Sequence, residues 1–285
     1  MNLIALGRTA IGVARGFANY PQYDIYTIST TEEVPIDLAS HYRLASHDSP
    51  EKYEQEYPTH ELEEFLAPVR GETIFIVSGF DLESAATLRL LQFLTSRSQV
   101  RVIYVQPDMS AAAQVCKLMD NTVRGVLQQY ARSGAFKGLV MISIPTARAM
   151  LGDVPIMQYE TKAAELIAST VHMINVFDRT VPIYSDNFKL CDAVRIFTIG
   201  ISNLETDEEK LFFPLDNIRE KVYYYSIKKE SIENDGTLMN KIINKTHAKV
   251  SSEEENNNRA GFSVYASEYD EDYVYLIAGT SAAQQ

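Results

Sequence analysis

The sequence predicts an α/β protein. It reads as a doubly wound parallel-sheet domain over residues 1–157, a long central helix and its following loop over 158–190, and a smaller α+β domain with a mixed sheet over 191–285. Three observations predict this. Short, continuously apolar runs (NLIAL, IFIV, VRVIYV, GLVMI) alternate with amphipathic segments in the first half, as parallel strands covered on both faces by helices do. One helical periodicity then runs through QYETKAAELIASTVHMINVFD, and after it a succession of strand-like runs follows with one helical segment among them.

In chain order, NLIALG ends at Gly7, and TAIGVARGFAN after it has helical spacing, which gives strand, turn, helix. YDIYTIST alternates as a second strand. The polar, proline-bearing stretch 31–60 reads as mostly loop, and ELEEFLAPV as a helix ending near Pro68. IFIVSGFDLESAATLRLLQFL, 74–94, is a buried strand, a polar turn and an amphipathic helix. QVRVIYVQP is a strand, and SAAAQVCKLMDNTVRGVLQQYARSG a long helix with Ser110 as N-cap and Gly134 just past its end. GLVMISIP returns as a buried strand. The central helix carries Ala164, Ile167, Val171, Ile174 and Phe177 or Asp178 as a stripe. VRIFTIGIS, LDNIREKVYYYSIKKES, AGFSVYASEY and YVYLIAGTS are the later strands, TLMNKIINKTH the helix between them, and SSEEENNNR at 251–259 a solvated loop. The first domain is therefore Rossmann-like, with ligands expected at the carboxyl ends of its strands.

Composition narrows the function classes. A net charge of −12 argues against nucleic acid and membrane as partners, since both attract clustered Lys and Arg. A protein or a small molecule is left. Cys116 and Cys191 form no CxxC pair, and so few cysteines favour a cytoplasmic setting. MNLIALGRTAIG lacks the build of a signal peptide, and no apolar segment approaches the ~20 residues of a membrane span.

The segment 74–94 poses the functional question. In a nucleotide-binding α/β protein such a turn holds phosphate, through free backbone N–H groups and the positive end of a helix. Here it offers Gly79 and then Asp81 and Glu83. It is either an ordinary connection or a phosphate site without its chemistry. Gly7 and Gly12, without a following Lys-Ser/Thr, are a weak phosphate signal. His172 has no partner at i+4 for a metal and reads as a core or boundary histidine. Cys116 reads as a buried small hydrophobe. Ser78 and Ser143 lack the G-x-S-x-G of a hydrolase. VYYYS reads as a strand with alternating faces, or as one whose second face exposes aromatics at an interface.

Taken whole, this succession resembles the tubulin/FtsZ superfamily. ALGRTAIGVARGF is similar to the family's opening glycine-rich loop, and YTIST stands near its "INTD". The stretch from VIYVQP to SIP resembles its strand, long helix and returning strand, with Pro107 and Pro145 at the matching turns. The resemblance implies nucleotide contacts from Gly7, Arg8, Thr9, Gly12, Ser78, Gly79, Phe80, Asp81, Ser84 and Pro107, and no protein-built metal site. The family's GGGTGTG falls on SGFDLES, where only Gly79 remains. In its catalytic loop Asp186 stands at the second acid and Ile183 at the first, with Asp192 in an alternative register. Ala164 and Glu165 stand where the central helix carries an Asn. These departures imply a structural protein that self-associates as a homo-oligomer or filament, or docks to a protein partner. GTP binding and hydrolysis would be weak or lost, and no cofactor is expected beyond GTP with Mg²⁺ if the site works. The alternatives are an active filament-forming GTPase, and a Rossmann-like enzyme on a small metabolite, whose G-x-G-x-x-G is absent.

Overall fold

The computed structural model describes residues 1–32, 36, 37, 39–234, 236–255 and 258–284. The chain divides into two compact units, Met1–Ser169 together with the residues from Ala283 on, and Thr170–Ala282.

The first unit contains β1 (Asn2–Leu6), α1 (Arg8–Ala14), β2 (Asp24–Ser29), β3 (Ser40–Arg43), α2 (Pro50–Gln55), α3 (Thr59–Phe65), β4 (Gly71–Val77), α4 (Thr87–Thr95), β5 (Ser98–Gln106), α5 (Gln114–Ser133), β6 (Gly138–Ser143), α6 (Ile144–Ala149) and the first half of α7 (Tyr159–Phe177). Its strands lie in the order β3-β2-β1-β4-β5-β6, all parallel. Leu3, Ile4, Ala5 and Leu6 of β1, and Phe75, Ile76 and Val77 of β4, are fully buried. Such strands must be apolar on both faces because helices cover both. The chain runs outward from β1 to β2 and β3, then returns to β4 on the other side. The order therefore switches between β1 and β4, where Leu6 pairs in register with Val77. The turns at Gly7 and Ser78 thus leave the sheet side by side, at the position where doubly wound sheets bind ligands.

Several expectations are corrected here. Among the described residues, 31–60 is mostly without regular structure, as expected, but it also carries β3 and α2; β3 is a short edge strand with half-exposed residues, too brief to show a period. The long helix begins at Gln114 with Ala113 at its N-cap, not at Ser110. The Ser110 N–H instead donates to Asp108 Oδ1 at 2.9 Å, closing a local turn of the kind that competes with helix. Gly134, left-handed at φ 81°, does end α5. The last strand stops at Ser143, and Ile144 and Pro145 open α6. Cys116 is half-exposed rather than buried.

The second unit takes the rest of α7 and holds β7 (Tyr184–Ser185), β8 (Ile196–Ser202), β9 (Glu209–Leu211), β10 (Glu220–Lys228), α8 (Lys229–Asn234), α9 (Leu238–Glu255), β11 (Arg259–Ser267) and β12 (Tyr273–Thr280). The strands lie in the order β8-β12-β10-β11-β7, with β9 on β8. Among the described residues of this unit only β10 and β11 pair in parallel, the mixed sheet that was expected. Alternation in VYYYS sends Tyr223 and Tyr225 into a core with Ile242 of α9. Tyr224 goes to the opposite face, where Phe177 stacks on it and, at 4.5 Å, on Tyr265. All three tyrosines are buried. His172 is buried as well, and burial pushes its pKa down. The segment 251–259 is not all loop: residues through Glu255 complete α9 and Arg259 opens β11, while 256 and 257 lie outside the described residues.

Candidate functional site

At the switch point the chain turns through Gly7, whose φ of 86° is left-handed and suits a residue without Cβ. The first N–H groups of α1 then point out of the sheet unpaired by the helix itself. One of them is taken: Thr9 N–H donates to Asp81 Oδ2 at 2.8 Å, and Thr9 Oγ1 donates to Asp81 Oδ1 at 3.2 Å. The carboxylate lies so close that a methyl group added at Gly7 would sit 2.7 Å from Asp81 Oδ2. The protein's own anion thus occupies the end of α1. Burial pushes the Asp81 pKa up to about 6, the Thr9 N–H bond and the Arg8 charge pull it down, and neighbouring Glu83 pushes it further up.

The rest of the turn is engaged too. Gly79 is pressed against α5: a Cβ there would lie 2.7 Å from the Asp120 Cα. Its lack of a side chain serves helix packing. Asp120 is itself buried, accepts a hydrogen bond from Tyr104 Oη, and has its pKa raised by burial. Ser78 is buried, and its Oγ accepts from Phe80 N–H at 3.4 Å. Ser84 N–H donates to the Asp81 carbonyl at 3.0 Å. Glu83 is buried and its Oε1 accepts from Thr30 Oγ1 at 3.0 Å. Leu82–Ala86 is a 3-10 segment, so α4 begins only at Thr87 and its positive end lies beyond the turn. A phosphate here would meet two carboxylates and backbone donors already in use, so these residues do not fit one.

Beside the turn lies a cleft of about 480 Å³. Of the sequence-derived residues it brings together Arg8, Thr9, Gly12 and Pro107, but not Gly7, Ser78, Gly79, Phe80, Asp81 or Ser84. Ser84 lines a different cavity. Ala164 and Glu165 of α7 do line the cleft, together with Arg15, Arg148 and Glu160, which the sequence analysis did not single out. Arg148 pairs with Glu160. That pair joins α6 to α7 across an irregular connection, and no spacing rule would reveal it. Among the described residues no group of His, Cys, Asp or Glu is placed to hold a metal. None of their helices is long and apolar enough to cross a membrane.

In the second unit, Asp186 is held by its own fold. Its Oδ1 accepts from Phe188 N–H at 2.9 Å and its Oδ2 from Phe262 N–H at 3.1 Å. The first bond closes a turn within the loop, and the second pins the loop to β11. Ile183 is half-exposed and Asp192 exposed.

No protein-family model matches the sequence, and no curated protein does. Solved structures do. FtsZ from M. jannaschii, in an empty dimer, aligns with a TM-score of 0.67 at 12% identity over 98% of this chain and 88% of that one. CetZ2 from Haloferax volcanii, in a GTPγS-bound protofilament, aligns at 0.69 and 11% over 98% and 92%. TubZ from Bacillus thuringiensis serovar israelensis, also in a protofilament, aligns at 0.66 and 12% over 97% and 86%. The chain has the tubulin/FtsZ fold.

Proposed function

We propose that this chain is a structural protein on the tubulin/FtsZ fold which associates with further copies of itself and does so without GTP. The observation that carries the reading is the 2.8 Å hydrogen bond from Thr9 N–H to Asp81. The donor that would greet a phosphate already has an anion. A further charge at about 4 Å from that carboxylate meets repulsion of ~1 kcal/mol in water and ~4 kcal/mol in a partly buried setting. The helix end returns only ~0.3 to 1 kcal/mol. Support for self-association comes from the neighbours, several of which were solved as filaments or protofilaments. Contacts of that kind are head-to-tail and extend as open polymers when the rotation does not close.

Electron microscopy of the purified protein with and without GTP, together with nucleotide analysis of the denatured sample, tests this. Filaments in nucleotide-free protein are expected; filaments only with GTP, or stoichiometric bound nucleotide, would overturn it. The 480 Å³ cleft beside α1 favours a second reading, an active GTPase with a rewired turn. In that case Asp186→Ala would abolish turnover while nucleotide stayed bound.

A further inference from the structure

Helix α5 is amphipathic the wrong way round. Its buried face carries Asp120, Arg124 and Gln128 with Leu127 and Ala131, whereas Val115 and Leu118 are 69% and 58% exposed. At 3.6 residues per turn, Val115, Leu118, Met119, Thr122, Val123 and Val126 form one stripe on the side away from those polar groups. The inward groups have partners. Tyr104 donates to Asp120, Arg124 donates to Asn121 Oδ1 at 2.6 Å, and Gln128 Nε2 donates to the Gln284 carbonyl at 3.0 Å. Rolling the apolar stripe inward would leave buried polar groups unpaired, so the outward stripe is built in.

The C-terminal part of the stripe, Met119, Thr122, Val123 and Val126, forms one side of a groove of about 330 Å³ whose other walls come from α2, the 3-10 segment and α4; Val115 and Leu118 continue the stripe along α5 past the residues that line the groove. Two features distinguish it from an ordinary surface depression. Ser84 and Thr87 line it, three residues apart on one helical face, and their hydroxyls are buried with no hydrogen-bond partner among the described residues. The charged side chains that line it are Glu51 and Glu54, both acidic.

We propose that the groove and stripe dock one amphipathic helix of another protein, apolar on one face and flanked by Lys or Arg. The stripe from Val115 to Val126 runs about 17 Å, three turns, and presents the i, i+3, i+4, i+7 spacing that a helical partner meets. The acidic walls call for a basic flank. A second copy of this chain, at a net charge of −12, is the poorer complement. This inference does not rest on the fate of the phosphate turn.

The probe is a fluorescein-labelled helical peptide of about 16 residues (~24 Å), with Leu along one face and Lys beside it. A twin carries Glu for Lys. Each is titrated with the full chain and read by anisotropy, while sedimentation velocity follows the protein alone. Saturable binding of the Lys peptide is expected, with about tenfold or greater weakening by Leu118→Glu. Paired Glu51→Lys and Glu54→Lys changes should shift preference towards the Glu twin. Val115→Lys, at a still more exposed position, provides a second variant, and circular dichroism confirms folding. No saturable binding up to ~1 mM, or binding indifferent to both stripe variants, would overturn the proposal. So would Leu118→Glu dissolving a self-assembly of the chain, because the occupant would then be a second copy.

Discussion

Replacing Asp81 with Asn tests the internal anion directly. Asn keeps an oxygen to accept from Thr9 N–H but cannot titrate. Burial raises the Asp81 pKa from 3.8 to about 6, roughly two units, and each unit is worth about 1.4 kcal/mol. The sign follows from proton counting. Between pH 4 and 6 the unfolded chain has released this proton while the folded chain still holds it, so stability falls as pH rises through that window. The contribution is fully present below about pH 4 and gone above about pH 6. Wild type should therefore lose about 2 to 3 kcal/mol between pH 4 and 7 that Asp81→Asn does not lose. Denaturant titrations of both proteins at the two pH values give this double difference, and carbon-13 carboxyl NMR gives the Asp81 midpoint. A midpoint at or below 4, or equal pH dependence in wild type and variant, would refute the placement of a half-buried carboxylate on α1.

Other expectations follow from single contacts. Gly79→Ala should destabilise by about 1 to 3 kcal/mol in thermal unfolding, because the new Cβ meets the Asp120 backbone at 2.7 Å. Tyr104→Phe strips buried Asp120 of its hydroxyl donor and should cost about 1 to 3 kcal/mol by denaturant titration. Thr73→Val should do the reverse: the Thr73 hydroxyl is buried on β4 without a partner among the described residues, and an isosteric methyl removes that penalty for a gain of about 1 kcal/mol.

The fold was legible wherever the physics is local. Fully buried parallel strands write themselves as unbroken apolar runs, and NLIAL, IFIV and GLVMI could hardly be anything else. The stripe Ala164, Ile167, Val171, Ile174 and Phe177 is buried along α7 as its spacing predicts. The misses were short or capped by competing turns. Edge strand β3 is four residues long, and Ser110 had the chemistry of an N-cap but was drawn into a turn by Asp108. At the candidate site, the sequence showed that the turn was acidic and glycine-poor. It did not show that Gly79 is required by a neighbouring helix.

From its sequence alone this protein is an α/β chain with strands, helices and a mixed-sheet second unit in a determined order, because periodicity and burial are properties of neighbouring residues. Tertiary structure decided the chemistry. Asp81 meets Thr9 across 72 residues only because β1 and β4 adjoin at the switch point. The outward apolar face of α5 likewise depends on polar partners supplied by β5 and by the segment at Gln284. Both outcomes turn on which distant groups satisfy a buried hydrogen bond, and no local pattern of residues encodes that.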